Sequence, residues 1–111
     1  MAFVKLWVHS LWGTKNREPV LVSEVRALVC QHIQQNALAK GFYIDEVNGH
    51  TDHLHCLMLL KVDWSIAKQM QMIKGEGANW INKKGILPRK LEWADEYFAV
   101  SVSEKDRKSV V

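Results

Sequence analysis

Alternation opens the chain. From Phe3 to Trp12, Val4, Leu6 and Val8 fall on one side and Lys5, Trp7 and His9 on the other, the pattern of a half-buried strand. A polar, basic loop from Gly13 to Pro19 follows, carrying Lys15 and Arg17. The spacing then changes to that of a helix. Ser23 is the expected N-cap, Val25, Leu28, Val29, His32, Ile33 and Asn36 form one stripe, and Gly41 ends it. Phe42 to Val47 reads as a second strand, Asn48-Gly49 as a hairpin turn, and His53 to Val62 as a third strand. Asp63 or Ser65 caps a second helix whose stripe is Ile66, Met70, Ile73, Gly77, Trp80 and Ile81, ending near Gly85. Beyond Pro88, Tyr97 to Ser103 makes a fourth strand with Phe98, Val100 and Val102 on one face.

The order β-α-β-β-α-β is the split βαβ arrangement, so the expected fold is α+β and ferredoxin-like. It implies an antiparallel sheet with two helices on one face. The other face stays open for a ligand, nucleic acid or second subunit. Ser103 with Asp106 resembles the start of a further helix, and the chain is expected to end inside that element at Val111.

No repeat or linker divides the 111 residues, a length that fits one domain spanning 1–111. A 48% hydrophobic and 24% charged composition argues against disorder. No apolar run is long enough for a membrane span, and Lys5, His9 and Lys15 interrupt any signal-peptide core. Cys30 and Cys56 lie in apolar segments without metal-ligand spacing, as reduced core thiols of a cytoplasmic protein would. The net charge of +3 is compatible with a nucleic-acid partner.

The chemistry-bearing segment is Gly49-His50-Thr51-Asp52-His53-Leu54-His55-Cys56-Leu57. Residues two apart on a strand share a face, so His53 and His55 present two imidazoles side by side. That is half of a divalent-metal site. A bare His-x-His is equally consistent with two partly exposed strand histidines and no ligand. His50, on the turn, reads as a surface residue.

The sequence resembles the small HUH-type, single-tyrosine transposases of the insertion sequence 200/605 kind, which act on single-stranded DNA. The resemblance runs over nearly the whole chain. It rests on Thr14, Lys15, Arg17, Pro19, Val20 and Leu21, on Asp52-His53-Leu54-His55, on Ile73-Lys74-Gly75 with Trp80-Ile81-Asn82, and on Trp93 followed by Tyr97-Phe98-Ala99-Val100-Ser101-Val102. It implies DNA transposition in which His53 and His55 hold Mg²⁺ or Mn²⁺. A tyrosine on a C-terminal helix would attack the scissile phosphate, leaving a 5′-phosphotyrosine. It also implies a single-stranded DNA hairpin as partner and a homodimer joined through sheet edges.

That catalytic helix would begin at about residue 103, so the nucleophile is expected beyond Val111. Tyr43 and Tyr97 sit on strands beside apolar residues and are read as structural. A chain without the nucleophile would be a DNA-binding remnant. A ferredoxin-like RNA-binding or regulatory module with incidental histidines is the rival from another class.

Phosphate contacts would come from Lys15 and Arg17, from Lys68 and Lys74 on the second helix, and from Lys83, Lys84, Arg89 and Lys90. Each is equally readable as a solvated surface charge. Of the five tryptophans, Trp80 fits the core stripe. Trp7, Trp12 and Trp93 suit a core, an interface or base stacking equally well.

Overall fold

The computed structural model describes residues 5–103. The expected start of a C-terminal helix after Ser103 lies outside them. Four strands, β1 (Trp7–Thr14), β2 (Ile44–Gly49), β3 (His53–Leu59) and β4 (Trp93–Val102), and two helices, α1 (Ser23–Lys40) and α2 (Ile66–Lys84), follow in the expected order. The sheet order is β2-β3-β1-β4, with every neighbouring pair antiparallel. No described helix is long and apolar enough to cross a membrane.

Both helices cover one face. The core between them and the sheet joins Val8, Trp12, Leu54, Cys56 and Met58 to Val29 and Ile33 of α1 and to Met70, Ile73 and Ile81 of α2. The helices approach closely because position 77 is glycine: a Cβ there would stand 3.3 Å from Ile33 Cδ1. Of the two expected caps of α2, Asp63 and Ser65, it is Ser65 that accepts a hydrogen bond from the Lys68 amide, at 3.1 Å.

α1 differs slightly at its start and in its buried stripe. Its flanking residue is Val22, and no side chain caps it. The buried positions are Val25, Val29, Cys30, Ile33 and Ala37, while Leu28 is exposed. His32 is half-buried at the seam with α2, stacked on Trp80 with ring centroids 4.4 Å apart and 3.2 Å from Glu76 Oε1.

Two strands run past an end the alternation predicts, β1 at its C-terminal end and β4 at its N-terminal end, while β1 begins only at Trp7, with Lys5 and Leu6 outside it. β1 continues past Trp12 because Gly13 pairs with His53 and Thr14 with Trp93, across a bulge in the β4 register. β4 begins at Trp93, four residues early, because α2 holds its lead-in. The Asn82 side chain donates to the Leu91 carbonyl at 3.0 Å and accepts from the Leu91 amide at 2.7 Å. Lys74 Nζ donates to the Ala94 carbonyl at 2.8 Å, and Trp93 Nε1 donates back to the Lys74 carbonyl at 2.8 Å. Conversely, β3 ends at Leu59 rather than Val62. There the buried Gln69 side chain accepts from the Lys61 amide at 2.8 Å and donates to the Leu59 carbonyl at 2.9 Å.

Candidate metal and nucleic-acid site

Pairing register decides which residues share the face away from the helices. Trp7, His9 and Leu11 of β1 stand opposite Leu59, Leu57 and His55 of β3, and opposite Val102, Val100 and Phe98 of β4. Directly opposed residues project to the same side. The open face therefore carries His53, His55 and His9 beside the partly exposed apolar residues Leu11, Phe98 and Val100.

The turn that delivers His53 is fixed from both sides. Gly49 closes it tightly, since a Cβ there would stand 2.7 Å from Leu54 Cα. The His50 amide donates to the His53 carbonyl at 2.9 Å. From the other side, the Thr14 amide donates to the Asp52 carbonyl and the Leu21 amide to the Thr51 carbonyl, each at 2.9 Å. The buried Thr14 hydroxyl donates to the Glu18 carbonyl at 2.8 Å, closing the basic loop onto the strand. Within that loop Asn16 and Arg17 adopt φ of 58° and 55°, a left-handed conformation uncommon for residues with a side chain.

That loop places Arg17 Nε 3.1 Å from Asp52 Oδ2, while Asp52 Oδ1 lies 2.8 Å from His53 Nδ1. The His53 hydrogen bond, helped by Arg17, holds the Asp52 carboxyl below its ordinary range. An ionised carboxylate only accepts, so His53 Nδ1 is the donor, and in the neutral ring the lone pair is then on Nε2, where a metal could bind. His50 is exposed, yet its ring lies nearly parallel to that of His53 with centroids 6.2 Å apart. The Asp52–Arg17 link was not legible from spacing, because the two residues are 35 positions apart.

His55 has a different neighbour. The His9 ring stands edge-on to it, with centroids 6.2 Å apart. His55 Nδ1 and His9 Nε2 are both buried without a hydrogen-bond partner. Each such atom costs about 1–3 kcal/mol if nothing pairs it. Burial, with His55 contributing, pushes the His9 pKa down. The alternation had placed His9 on the non-core side of its strand, but only the β1–β3 register brings it to His55.

No cluster of three or more His, Cys, Asp or Glu suited to a metal ion occurs among the described residues. The two histidines nevertheless fit the first half of one. They are two apart on β3, roughly 7 Å along the strand, and the Asp52 bond orients one ring for coordination through Nε2. Beside His53 lies a groove of about 340 Å³, walled by Leu11, Gly13, Phe98 and Glu96 and edged by Arg17.

The basic residues divide. Lys15, Arg89 and Lys90 line one cavity of about 310 Å³ at the end of β1, where Lys15 pairs with Glu92 at 3.4 Å and Arg89 with Glu18 at 2.9 Å. Arg17 belongs to the same loop. Lys83 and Lys84 end α2, and Lys84 Nζ lies 5.3 Å from the centre of the Trp80 ring. Lys68 is in the first turn of α2, at the Leu59 end of the sheet, with Nζ 4.9 Å from the Trp64 ring centre. Lys74 is tied to β4, and burial lowers its pKa.

Tyr97 lines the groove beside His53, whereas Tyr43 lies at the far end of β3. Tyr97 is opposite Trp12 on the helix side, 5.8 Å from Lys74 Nζ. Tyr43 binds Asp45 Oδ1 at 3.0 Å and packs edge-on to Trp7. Its carbonyl pairs with Leu59, six residues and about 20 Å along β3 from His53. Trp12 is core and meets Trp93 edge to face, whereas Trp7 is buried on the open side.

A family model described as "Transposase IS200 like" matches residues 2–111. The chain belongs to that family. Membership places this transposase domain among the proteins of DNA transposition. Its fold is similar to the crystal structure of a candidate transposase from Deinococcus radiodurans R1, with a TM-score of 0.81 and 23% identity over 98% of this chain and 88% of the other. It is also similar to a REP-associated tyrosine transposase bound to a REP hairpin. There the TM-score is 0.63 at 16% identity, over 97% of this chain and 64% of the other. At these identities the two structures speak to the fold. No curated protein sequence matches the chain.

Proposed function

We propose that this transposase domain binds single-stranded DNA bearing a hairpin and holds Mg²⁺ or Mn²⁺ on His53 and His55. The observation that carries the reading is the Arg17–Asp52–His53 chain of hydrogen bonds beside His55, on a sheet face the helices leave open. When bound, the metal supplies a Lewis acid that polarises a phosphoryl oxygen. Asp52 keeps the His53 proton on Nδ1, and Arg17 is anchored through Nε with its terminal nitrogens still able to meet a phosphate. Lys15, Arg89 and Lys90 extend the positive surface from the same end of the sheet. The solved hairpin complex of a tyrosine transposase with the same fold supports a hairpin ligand.

Strand transfer also needs a nucleophile in line with the leaving oxygen, about 3–3.5 Å from phosphorus. Tyr97 projects to the helix side and Tyr43 stands at the far end of β3, so neither is read as that nucleophile. Hairpin binding through Arg17 and the neighbouring basic residues requires neither tyrosine. The outer strands β2 and β4 give the sheet two edges that a homodimer would protect.

A labelled hairpin oligonucleotide with Mn²⁺ tests the reading. A mobility shift that weakens with salt, and no covalent adduct on a denaturing gel, is the expected result. Absence of a shift at low salt overturns the DNA reading. An adduct overturns the structural role given to Tyr43 and Tyr97. Sedimentation at tens of micromolar, showing only monomer, would refute the homodimer.

A further inference from the structure

The two proposed metal histidines are unequally supported. His53 Nδ1 has the Asp52 carboxylate. His55 Nδ1 is buried and unpartnered, although a histidine that binds metal through Nε2 must keep its proton on Nδ1 and place it somewhere. The register restricts what can receive it. Directly opposite His55 stand Leu11, which has no polar atom, and Asn48, whose Oδ1 already accepts from the Gly49 amide at 2.8 Å. Diagonally across β2 stands Glu46, which is exposed, whereas the Nδ1 atom is buried. Of the other diagonal neighbours, Gly13 has no side chain and the exposed His50 lies against His53, while His9 on β1 has in its own Nε2 the other buried, unpartnered imidazole atom among the described residues.

We infer that His9 is the positioning residue of His55: His55 Nδ1–H is held by His9 Nε2, directly or across one water, as His53 Nδ1–H is held by Asp52. The inference rests on the metal reading given above. His9 then keeps its own proton on Nδ1 and is neutral. It does not complete the metal site itself, because it pairs opposite Leu57, on the side of His55 away from His53. Its part is to fix the tautomer and ring orientation of the ligand.

Long-range ¹H–¹⁵N spectra of the metal-free protein read the tautomer directly. In the wild type the His55 proton is expected on Nδ1. His9→Leu is expected to lose that preference and His9→Gln, which still offers an acceptor, to keep it. Mn²⁺ titration is expected to show about 10- to 100-fold weaker binding for His9→Leu, with most of the affinity restored in His9→Gln. Far-UV circular dichroism melts establish that both variants are folded. A His55 proton on Nε2 in the wild type, or unchanged Mn²⁺ affinity in a folded His9→Leu, overturns the inference. Dependence on Glu46→Gln instead of His9 overturns it too. A wild type that takes up no Mn²⁺ defeats the metal reading alone, and the metal-free tautomer then decides the His9 contact by itself.

Discussion

The two faces of one sheet are built to opposite rules. Toward the helices, Val8, Trp12, Leu54, Cys56 and Met58 are each 2% exposed or less and pack into a single core. Away from them, Trp7 and Leu57 are also buried, but imidazole nitrogens of His9 and His55 lack partners and Leu11, with Phe98 and Val100 of β4, is partly exposed. Because strand side chains alternate, a residue that stabilises the fold and one that does chemistry are adjacent in sequence. The difference teaches that stability and function here can be altered separately, one residue apart.

The sharpest way to break that division is the run His53-Leu54-His55. Leu54→Ala removes a fully buried side chain and is expected to cost about 2–5 kcal/mol in urea denaturation. His55→Ala is expected to stay well below that while abolishing Mn²⁺ uptake. Equal destabilisation by the two would show that the faces are not independent. Next comes Asn82→Ala, which strands the amide and carbonyl of Leu91 and is expected to lower stability by about 1–3 kcal/mol. A neutral result would mean that the lead-in to β4 is held by Lys74 and Trp93 alone.

Asp52→Asn asks how much the second face depends on one carboxylate. An expected loss of roughly 10- to 100-fold in Mn²⁺ affinity, read by calorimetry, would match its hold on His53. The core thiols give a smaller, pH-dependent effect. Burial pushes Cys30 up to about 11 and raises Cys56 further, so both resist alkylation at pH 8 until the protein is denatured. The unfolded chain releases these protons first, so their contribution makes stability fall as pH rises from the ordinary thiol value toward the folded one. Cys30→Ala is expected to flatten that slope between pH 8.5 and 11, a window set by the Cys30 shift. The smallest effects separate the lysines. Lys90→Ala is expected to reduce the salt dependence of hairpin binding by about one unit of slope, whereas Lys68→Ala, at the other end of the sheet, leaves it unchanged.

Alternation and helical spacing determined the element order, the choice of Asp63 or Ser65 as the α2 cap, the end of α1 before Gly41 and the shared face of His53 and His55. These are local properties, set within a few residues by backbone periodicity and turn chemistry. The start of β4 and the end of β1 were not legible, because Asn82, Lys74 and Thr14 set them through hydrogen bonds and pairings between distant segments. The charge of Lys74 marks it as a phosphate contact, and only the fold shows that its ammonium also binds the Ala94 carbonyl. Asp52 stood beside His53 in the sequence, but its partner Arg17 and the His9 that meets His55 came only with the folded loop and the strand register. A strand's sequence states which side each residue takes; antiparallel pairing alone decides which residues of another strand it will face.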